Sequence, residues 1–336
     1  MRTFVVTGPG ESGVQHLPEP AAGPGQVVVE IARVGICGTD VEFFAGSMTY
    51  LHSGHATYPM RLGHEWAGTV VGVAPDVDAN WLGRRVTGDT MLGCGTCVRC
   101  RAGRQHVCEQ RYELGIRGGF GGALAERMAV PASSLHALPD TVDDTAGALV
   151  EPGGNALRAV WASGVQPGER LLILGPGTIG LLAGLLARAL GAHVHLAGRS
   201  ERSRAFAASL GFGVSTVDAL PEVPWDGVID ATNAPSMPAF AVKLVEPGRN
   251  VAYIGLSTTP SLIDSRELLL KDVTATGILS GSPGLAGTIA QYAAGTVDPS
   301  PIVAATVGLA EVSDLLAGRR PPEAGDGPKF HVDPHR

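Results

Sequence analysis

The chain carries little charge and no excess of positive charge. Its 336 residues include 25 Lys and Arg against 32 Asp and Glu, which gives a net charge of -7, and charged residues make up 17% of the total. No basic cluster is dense enough to follow a phosphate backbone, so nucleic acid is not an expected partner. Hydrophobic residues make up 44%, which argues against disorder, and the length suffices for two domains with separate cores.

Long uninterrupted hydrophobic runs are also missing. The start of the chain, Met1 to Gly8, has no charged segment followed by an apolar run, and its pattern is typical of a first strand rather than a secretory signal. The stretch 171–187 has no charged residue, but the turn Gly175-Pro176-Gly177 interrupts it, whereas a membrane span needs about 20 apolar residues in one helix. We therefore expect a soluble, cytoplasmic protein.

Cysteine is scarce, and four of the five cysteines lie together. Cys94, Cys97, Cys100 and Cys108 follow one another at intervals of three, three and eight residues, a pattern that predicts a closed tetrahedral site for structural zinc. Two disulfides are the alternative, but neighbouring C-x-x-C pairs bridge poorly, and thiols stay reduced without secretion. An iron-sulfur cluster is a weaker alternative because its spacings differ. Cys37 is left for another site.

A second metal site is predicted around the adjacent side chains of His64 and Glu65, which Gly63 and Gly68 flank. Cys37 lies 27 residues before His64, and Glu151 lies far downstream. One thiolate, one imidazole and two carboxylates suit zinc with an exchangeable position. Taken singly, each residue has an ordinary alternative role as a buried thiol, a core histidine or a surface carboxylate.

The pattern of hydrophobic residues changes near residue 150. Residues 1–150 are rich in Gly and Pro with short runs of β-formers, which predicts a mostly β domain with long loops. Residues 151–296 alternate strands and helices, which predicts a doubly wound parallel sheet. Residues 297–336 are expected to return to the first domain, with an exposed loop at 318–327. The strands predicted for the parallel sheet are 171–174, 193–197, 226–230, 250–255 and 272–277.

A glycine-rich turn follows the first strand predicted for the second domain. The turn Gly175-Pro176-Gly177-Thr178-Ile179-Gly180 opens a helix that is predicted to reach about Leu190. A G-x-G-x-x-G motif between a strand and a helix indicates dinucleotide binding, with the pyrophosphate at the helix N-terminus.

The residues after the next strand bear on the choice of cofactor. NAD enzymes place Asp or Glu about 20 residues after the turn, but this chain has Gly198 there, followed by Arg199 and Ser200. We predict that Arg199, Ser200 and Arg204 favour NADP over NAD, because arginine makes charge-assisted bonds to phosphate. The alternatives are a solvated helix start capped by Ser200, and a Glu201 that folds back to accept NAD.

These motifs together resemble the zinc-containing medium-chain dehydrogenase/reductase family. The segment 63–68 resembles its zinc signature, 94–108 its structural-zinc lobe and 175–180 its cofactor turn, and Glu151-Pro152 resembles the polyol (sorbitol), threonine and sugar dehydrogenase branches. The resemblance implies a GroES-like catalytic domain beside a Rossmann domain, two zinc ions per chain, and a homodimer or homotetramer.

The resemblance also implies a chemistry. Zinc held by Cys37, His64 and one or both of the carboxylates would activate a secondary alcohol of a polyol, sugar or cyclitol for hydride transfer to the nicotinamide. Thr39 stands where the family takes the alcohol proton, and Glu42 stands where many relatives have a relay histidine; a solvated helix carboxylate is the alternative for Glu42. A zinc-free quinone or enoyl reductase and a non-catalytic nucleotide-binding protein are the alternative functions.

Overall fold

The computed structural model describes residues 1–336, and these divide into two compact units. The first comprises Met1–Glu151, Val303–Gly325 and Lys329–Arg336, and the second Pro152–Ile302 and Asp326–Pro328. The second unit therefore extends past residue 296, and it also includes a short piece of the tail.

The strands are β1 (Arg2–Gly8), β2 (Glu11–His16), β3 (Gln26–Gly35), β4 (Glu65–Val73), β5 (Arg85–Gly88), β6 (Met91–Leu92), β7 (Tyr112–Glu113), β8 (Arg127–Pro131), β9 (Leu135–Ala137), β10 (Arg170–Leu174), β11 (His193–Ala197), β12 (Gly213–Ser215), β13 (Trp225–Asp230), β14 (Val245–Tyr253), β15 (Thr274–Gly277), β16 (Val303–Val307) and β17 (Lys329–Val332). The helices are α1 (Gly38–Ala45), α2 (Thr49–His52), α3 (Val98–Arg101), α4 (Asp144–Ala148), α5 (Val150–Ser163), α6 (Thr178–Leu190), α7 (Glu201–Ser209), α8 (Met237–Leu244), α9 (Ser265–Leu270), α10 (Leu285–Ala293) and α11 (Val312–Leu316).

The first unit is built on a seven-stranded sheet. Its order is β16-β17-β3-β4-β5-β9, and β8 pairs with β3 outside this path. The β-branched residues Val27, Val29 and Ile31 alternate along β3 and are fully buried, as expected for a strand with one face in the core. The tail strands β16 and β17 complete the sheet, because β17 pairs antiparallel with β3.

Pairing within this sheet brings distant segments of the chain to one edge. The antiparallel register of β3 and β4 places Gly35 opposite Glu65, so the residues after β3 and those before β4 lie at the same end. The register of β17 places His331 opposite Gly35, which brings Lys329 to this end as well. Strand pairing therefore positions the metal-capable residues.

The second unit contains a six-stranded parallel sheet with the order β12-β11-β10-β13-β14-β15. This confirms the predicted doubly wound fold, in which the chain proceeds outward in both directions from β10. Strand β11 spans the predicted residues, whereas β15 begins at Thr274 rather than Asp272. The reason is that Asp272 has a positive φ of 53° and belongs to the turn after α9. None of the helices combines the length and apolar character that a membrane crossing requires.

Candidate active site and metal centres

Cys37, His64 and Glu65 come together at the end of the first unit's sheet. Cys37 follows β3 and is the N-cap of α1, whereas His64 immediately precedes β4 and Glu65 begins it. The ligand atoms of the three side chains all lie within 4.8 Å of one another. Strand pairing thus assembles one thiol, one imidazole and one carboxylate from positions 37, 64 and 65.

Asp40 holds this cluster in place, although we did not predict a role for it. Its carboxylate accepts hydrogen bonds from the backbone N–H groups of Cys37 at 2.8 Å and Gly63 at 3.3 Å, and it lies 3.7 Å from Nδ1 of His64. A carboxylate beside a ligand histidine commonly fixes the orientation of the ring. The available signal was the spacing Cys37-x-x-Asp40, which is that of an N-cap and an N3 acidic residue.

The electrostatics of the cluster suit a divalent cation. Burial by itself lowers the pKa of His64, but Asp40, Cys37 and Glu151 outweigh that effect and raise it well above its usual value. Nδ1 of His64 is buried without a hydrogen bond. A buried imidazole among a thiol and several carboxylates is the ligand chemistry that zinc takes, so these residues fit a zinc ion.

Lys329 neutralises Glu65, a contact that the sequence pattern did not suggest. Its ammonium group forms a fully buried ion pair with Oε2 of Glu65 and donates a hydrogen bond to the carbonyl of Ile36 at 2.8 Å. Burial by itself lowers the pKa of Lys329, but the charges of Glu65 and Cys37 outweigh it and raise the pKa. Glu65 is therefore shared between the metal-capable cluster and a cation of the protein itself.

Glu151 lies near the cluster but is not part of its innermost group. It occupies the first turn of α5, is 8% exposed, and is close enough for its charge to act on His64. Its carboxylate is not among the ligand atoms that lie within 4.8 Å of one another. Pro152 follows it, where the first helical turn tolerates proline.

Thr39 and Glu42 lie three residues apart on α1, so that they share a face of this helix. Glu42 is partly buried, and burial raises the pKa of its carboxyl group. The arrangement allows a hydroxyl and a carboxyl to follow one another outward from Cys37 along the helix.

Cys94, Cys97, Cys100 and Cys108 form the other cluster. Their sulfur atoms lie within 4.8 Å of one another, with Sγ–Sγ distances of 4.0 Å for Cys94 and Cys100 and 3.8 Å for Cys97 and Cys108. These distances are about twice the S–S bond of roughly 2.05 Å in a disulfide, and all four thiols are free. Four sulfurs at this separation fit a tetrahedral zinc site.

A cavity of about 1070 Å³ lies at the carboxyl ends of β10 and β11 in the second unit. Gly175, Pro176 and Gly177 line it, and Thr178, Ile179 and Gly180 begin α6 beside it. A Cβ atom at Gly180 would lie 2.0 Å from the carbonyl oxygen of Gly175, so only glycine allows this tight turn. The cavity size and the helix N-terminus suit a dinucleotide.

Some of the residues after β11 line the cavity, whereas others hold the backbone of those lining residues in place. Gly198, Arg199 and Ser200 line it. Ser200 also caps α7 by accepting from the N–H of Ser203. Arg204 does not line the cavity, because its guanidinium donates to the carbonyls of Gly198 at 2.8 Å and Arg199 at 2.6 Å.

The lack of a carboxylate at position 198 has a steric reason. A Cβ atom at Gly198 would lie 2.5 Å from the ring of Pro176, so the usual Asp or Glu does not fit beside this proline. Asp218, in a short turn after β12, supplies the carboxylate that does line the cavity. We did not predict it, because strand order rather than sequence distance brings it there.

Comparisons with known proteins identify the family. Residues 23–140 match the family described as alcohol dehydrogenase GroES-like domain, and residues 178–294 match zinc-binding dehydrogenase. An L-threonine 3-dehydrogenase of Legionella pneumophila (strain Philadelphia 1) is 31% identical over 79% of this chain and 80% of that protein. The chain belongs to the zinc-containing medium-chain dehydrogenase/reductase family.

Further members of the family support this assignment. The L-threonine 3-dehydrogenase of Saccharopolyspora erythraea is 32% identical over 83% of both chains. A zinc-binding dehydrogenase from Sinorhizobium meliloti 1021, solved with NADP, superimposes with a TM-score of 0.89 at 28% identity and covers 99% of both chains. Galactitol-1-phosphate dehydrogenase from Escherichia coli has a TM-score of 0.87 at 25% identity and covers 99% of this chain and 100% of that one.

Membership in this dehydrogenase family gives the enzyme its reaction class. The protein is a zinc-dependent oxidoreductase that transfers a hydride between an alcohol and a nicotinamide cofactor. Its GroES-like and Rossmann architecture is confirmed by the family matches and by the two sheets.

Proposed function

We propose that this dehydrogenase acts on a secondary alcohol flanked by other polar groups, such as a polyol, sugar or cyclitol. The observation that carries the proposal is the convergence of Cys37, His64 and Glu65 within 4.8 Å in the first unit. The alcohols named in related enzymes, L-threonine and galactitol 1-phosphate, support it because both are strongly polar.

We propose that Cys37 and His64 hold a zinc ion together with a carboxylate. Zinc there would act as a Lewis acid on the substrate oxygen. Asp40 orients His64 through the contacts described above, and Lys329 neutralises Glu65. Because Lys329 already engages Glu65, Glu151 is the carboxylate with the better chance of exchanging with substrate at the metal. A second, structural zinc is proposed for the four-cysteine lobe.

We propose that Thr39 and Glu42 carry the alcohol proton toward solvent. Their spacing on α1 places them on one face, and burial raises the pKa of the Glu42 carboxyl group above its ordinary value, which makes it a better proton acceptor. The pH profile of a Glu42→Gln variant tests this, because loss of the relay would remove the acid limb of the wild-type profile.

We propose NADP as the preferred cofactor. Arg199 is exposed on the wall of the cavity, and Pro176 leaves no room for a carboxylate at position 198. The Sinorhizobium meliloti relative was solved with NADP. Asp218 also lines the cavity, and its negative charge acts against binding of the 2'-phosphate.

We also propose a cytoplasmic location, in which the thiol ligands stay reduced.

We propose that the protein forms a homodimer through its second unit. Strand β15 is the edge of the parallel sheet. Large apolar side chains near it are exposed, among them Leu262 at 89%, Leu269 at 79% and Leu270 at 87%. An unpaired strand edge beside exposed apolar residues is typical of an interface between copies of a chain.

One assay distinguishes the proposed reaction from its alternatives. Purified enzyme with NADP is screened against polyols, sugars and amino alcohols, then treated with a strong chelator and reloaded with zinc. We expect alcohol-dependent reduction of NADP that disappears with the chelator and returns with zinc. A nucleotide-sensing protein would bind NADP without turnover, and a zinc-free quinone or enoyl reductase would oxidise NADPH after chelation; either result would overturn the proposal.

A further inference from the structure

A cavity of the first unit, here called the arginine pocket, lies at the four-cysteine lobe and is separate from the cofactor cavity. It measures about 530 Å³, and Cys94 of the four-cysteine cluster forms part of its wall. Its other polar lining residues are His55, Glu109, Gln110, Arg111, Tyr112 and Arg117. This size is within the range of small-molecule sites. Nothing in the reaction described above uses these side chains.

The two arginines of the pocket converge on one buried carboxylate. Nε of Arg111 donates to Oε1 of Glu113 at 2.8 Å, and NH1 of Arg117 lies 3.9 Å from the same oxygen. Glu113 is only 3% exposed, and it also accepts a hydrogen bond from the hydroxyl of Tyr50 at 3.1 Å. One carboxylate therefore forms ion pairs with two guanidinium groups.

The remaining charge of the pocket is positive. Glu109 also lines it, but its carboxylate accepts from NH1 of Arg99 at 2.7 Å and is neutralised there. Both arginines pair with the single carboxylate of Glu113, so these three side chains together carry one net positive charge. A partly buried excess of one sign is costly unless an ion of the opposite sign offsets it.

The arginines are also held in fixed positions. NH1 of Arg111 donates to the carbonyl of Cys108 at 3.2 Å, and the guanidinium of Arg117 lies 5.8 Å from the centre of the Tyr50 ring. The ring of Tyr50 in turn packs against His55 at 5.6 Å. Nε and NH1 of Arg111 are already engaged, so its NH2 group and the guanidinium of Arg117 are the donors that could bind a phosphate or carboxylate group.

We propose that the arginine pocket binds a small oxyanion, either phosphate or carboxylate, through Arg111 and Arg117. The anion comes from one of two sources: the charged end of the alcohol substrate, or a free anion in solution. The proposal concerns binding and does not depend on the identity of the alcohol.

The direct test is binding of inorganic phosphate to the zinc-loaded protein. Isothermal titration calorimetry is performed at constant ionic strength, with chloride as the replaced anion, on protein saturated with NADPH so that the phosphate sites of the cofactor cavity are occupied. We expect saturable binding of one phosphate per chain. Arg117→Gln should weaken it at least tenfold, and Arg117→Lys, which keeps the charge but loses the fork, should weaken it less.

The matched control is Arg104→Gln, which removes the same charge from an exposed arginine of the same lobe that does not line the pocket. It should leave the affinity for phosphate unchanged. Absence of saturable binding above the chloride background, or an equal loss in the Arg104 and Arg117 variants, would overturn the proposal. Competition of phosphate against the alcohol, seen as a raised KM, assigns the pocket to the substrate; binding without such competition assigns it to a free anion.

Discussion

At the scale of single residues, the properties of the Cys37 and His64 site depend on how the charged side chains around it are paired. Glu65 and Glu151 are both buried carboxylates near His64, and the buried ammonium group of Lys329 lies against Glu65. Breaking a buried ion pair by removing one partner leaves an uncompensated charge. Removal of the Glu65 charge is therefore expected to be costly for the fold.

We predict that Glu65→Gln mainly affects stability, whereas Glu151→Gln mainly affects zinc. Loss of the Glu65 charge leaves Lys329 unpaired and should lower the free energy of unfolding by about 3–5 kcal/mol. Glu151→Gln should fold normally and lose zinc from the Cys37 and His64 site at least ten times more readily. Urea unfolding and zinc content after dialysis against a mild chelator measure the two effects. Full zinc content and activity in Glu151→Gln would contradict a ligand role.

Arg199 is the residue on which cofactor choice is expected to depend. We predict that Arg199→Ala raises the Kd for NADP by about 10- to 100-fold, because a charge-assisted hydrogen bond contributes about 1.5–3 kcal/mol, and changes the Kd for NAD much less. Fluorescence titration of both cofactors measures this. Arg202→Ala is the control, because Arg202 lies in the first turn of α7, close to Arg199 in sequence, but pairs with Asp326 at 3.3 Å. A clear preference of the unmodified enzyme for NAD would contradict the prediction.

At the scale of elements, strand β17, which lies between β16 and β3, places two buried basic side chains in the first unit. It brings Lys329 to the metal-capable cluster and places His331, fully buried, between β3 and β16. Neither ring nitrogen of His331 has a hydrogen-bond partner. Burial lowers the pKa of His331 to about 3, and the charges of Lys329 and Arg33 act in the same direction.

We predict that His331 makes the first unit sensitive to acid. The folded pKa of about 3 lies below the ordinary 6.5, so between these values the unfolded chain binds a proton that the folded chain does not. Stability is therefore lost as the pH falls from 6.5 toward 3, by up to about 1.4 kcal/mol per pH unit. His331→Leu should flatten this dependence in urea unfolding, whereas His16→Leu, at an exposed position on β2, should not. Parallel curves for wild type and His331→Leu would contradict the prediction.

At the scale of the whole molecule, two groups of residues that could each hold a metal ion lie in the first unit, with different surroundings. The four-cysteine cluster is closed by its own sulfurs, whereas the Cys37 and His64 cluster is bordered by carboxylates. A closed set of ligands stabilises a fold, and an open set leaves a position for substrate.

We predict two zinc ions per chain with separable roles. Cys97→Ser should lower the thermal stability, because its sulfur belongs to the closed set. His64→Ala should abolish turnover in a protein that still folds and keeps one zinc. Metal analysis together with circular dichroism checks both expectations. One zinc or none in carefully prepared wild-type protein would contradict the two-site interpretation.

The exposed apolar residues of the second unit lead to a prediction about assembly. We expect Leu270→Asp to convert a dimer into a monomer, because a charge at the end of α9 that is buried in the proposed interface would have no partner. Analytical ultracentrifugation measures the mass. Leu82→Asp, at a position that is 57% exposed in the first unit, should leave the mass unchanged. A monomeric wild type would show that the surface serves another purpose.

Sequence alone determined the family, the two kinds of sheet and most of the residues that carry chemistry. Local spacing was sufficient for this. The four cysteines follow one another within 15 positions of chain, and the glycine turn is a strand-to-helix connection whose steric demands act between near neighbours, as with Gly175 and Gly180. Strands such as β11 were predictable because burial imposes a regular pattern on the residues within them.

Tertiary structure alone decided which side chains meet across long stretches of chain. Lys329 reaches Glu65 only because β17 pairs with β3, and Asp218 reaches the cofactor cavity only through the order of the parallel strands. The exclusion of a carboxylate at position 198 depends on the ring of Pro176, 22 positions earlier. Such contacts follow from strand register and close packing, which depend on the whole chain and leave no local pattern in the sequence.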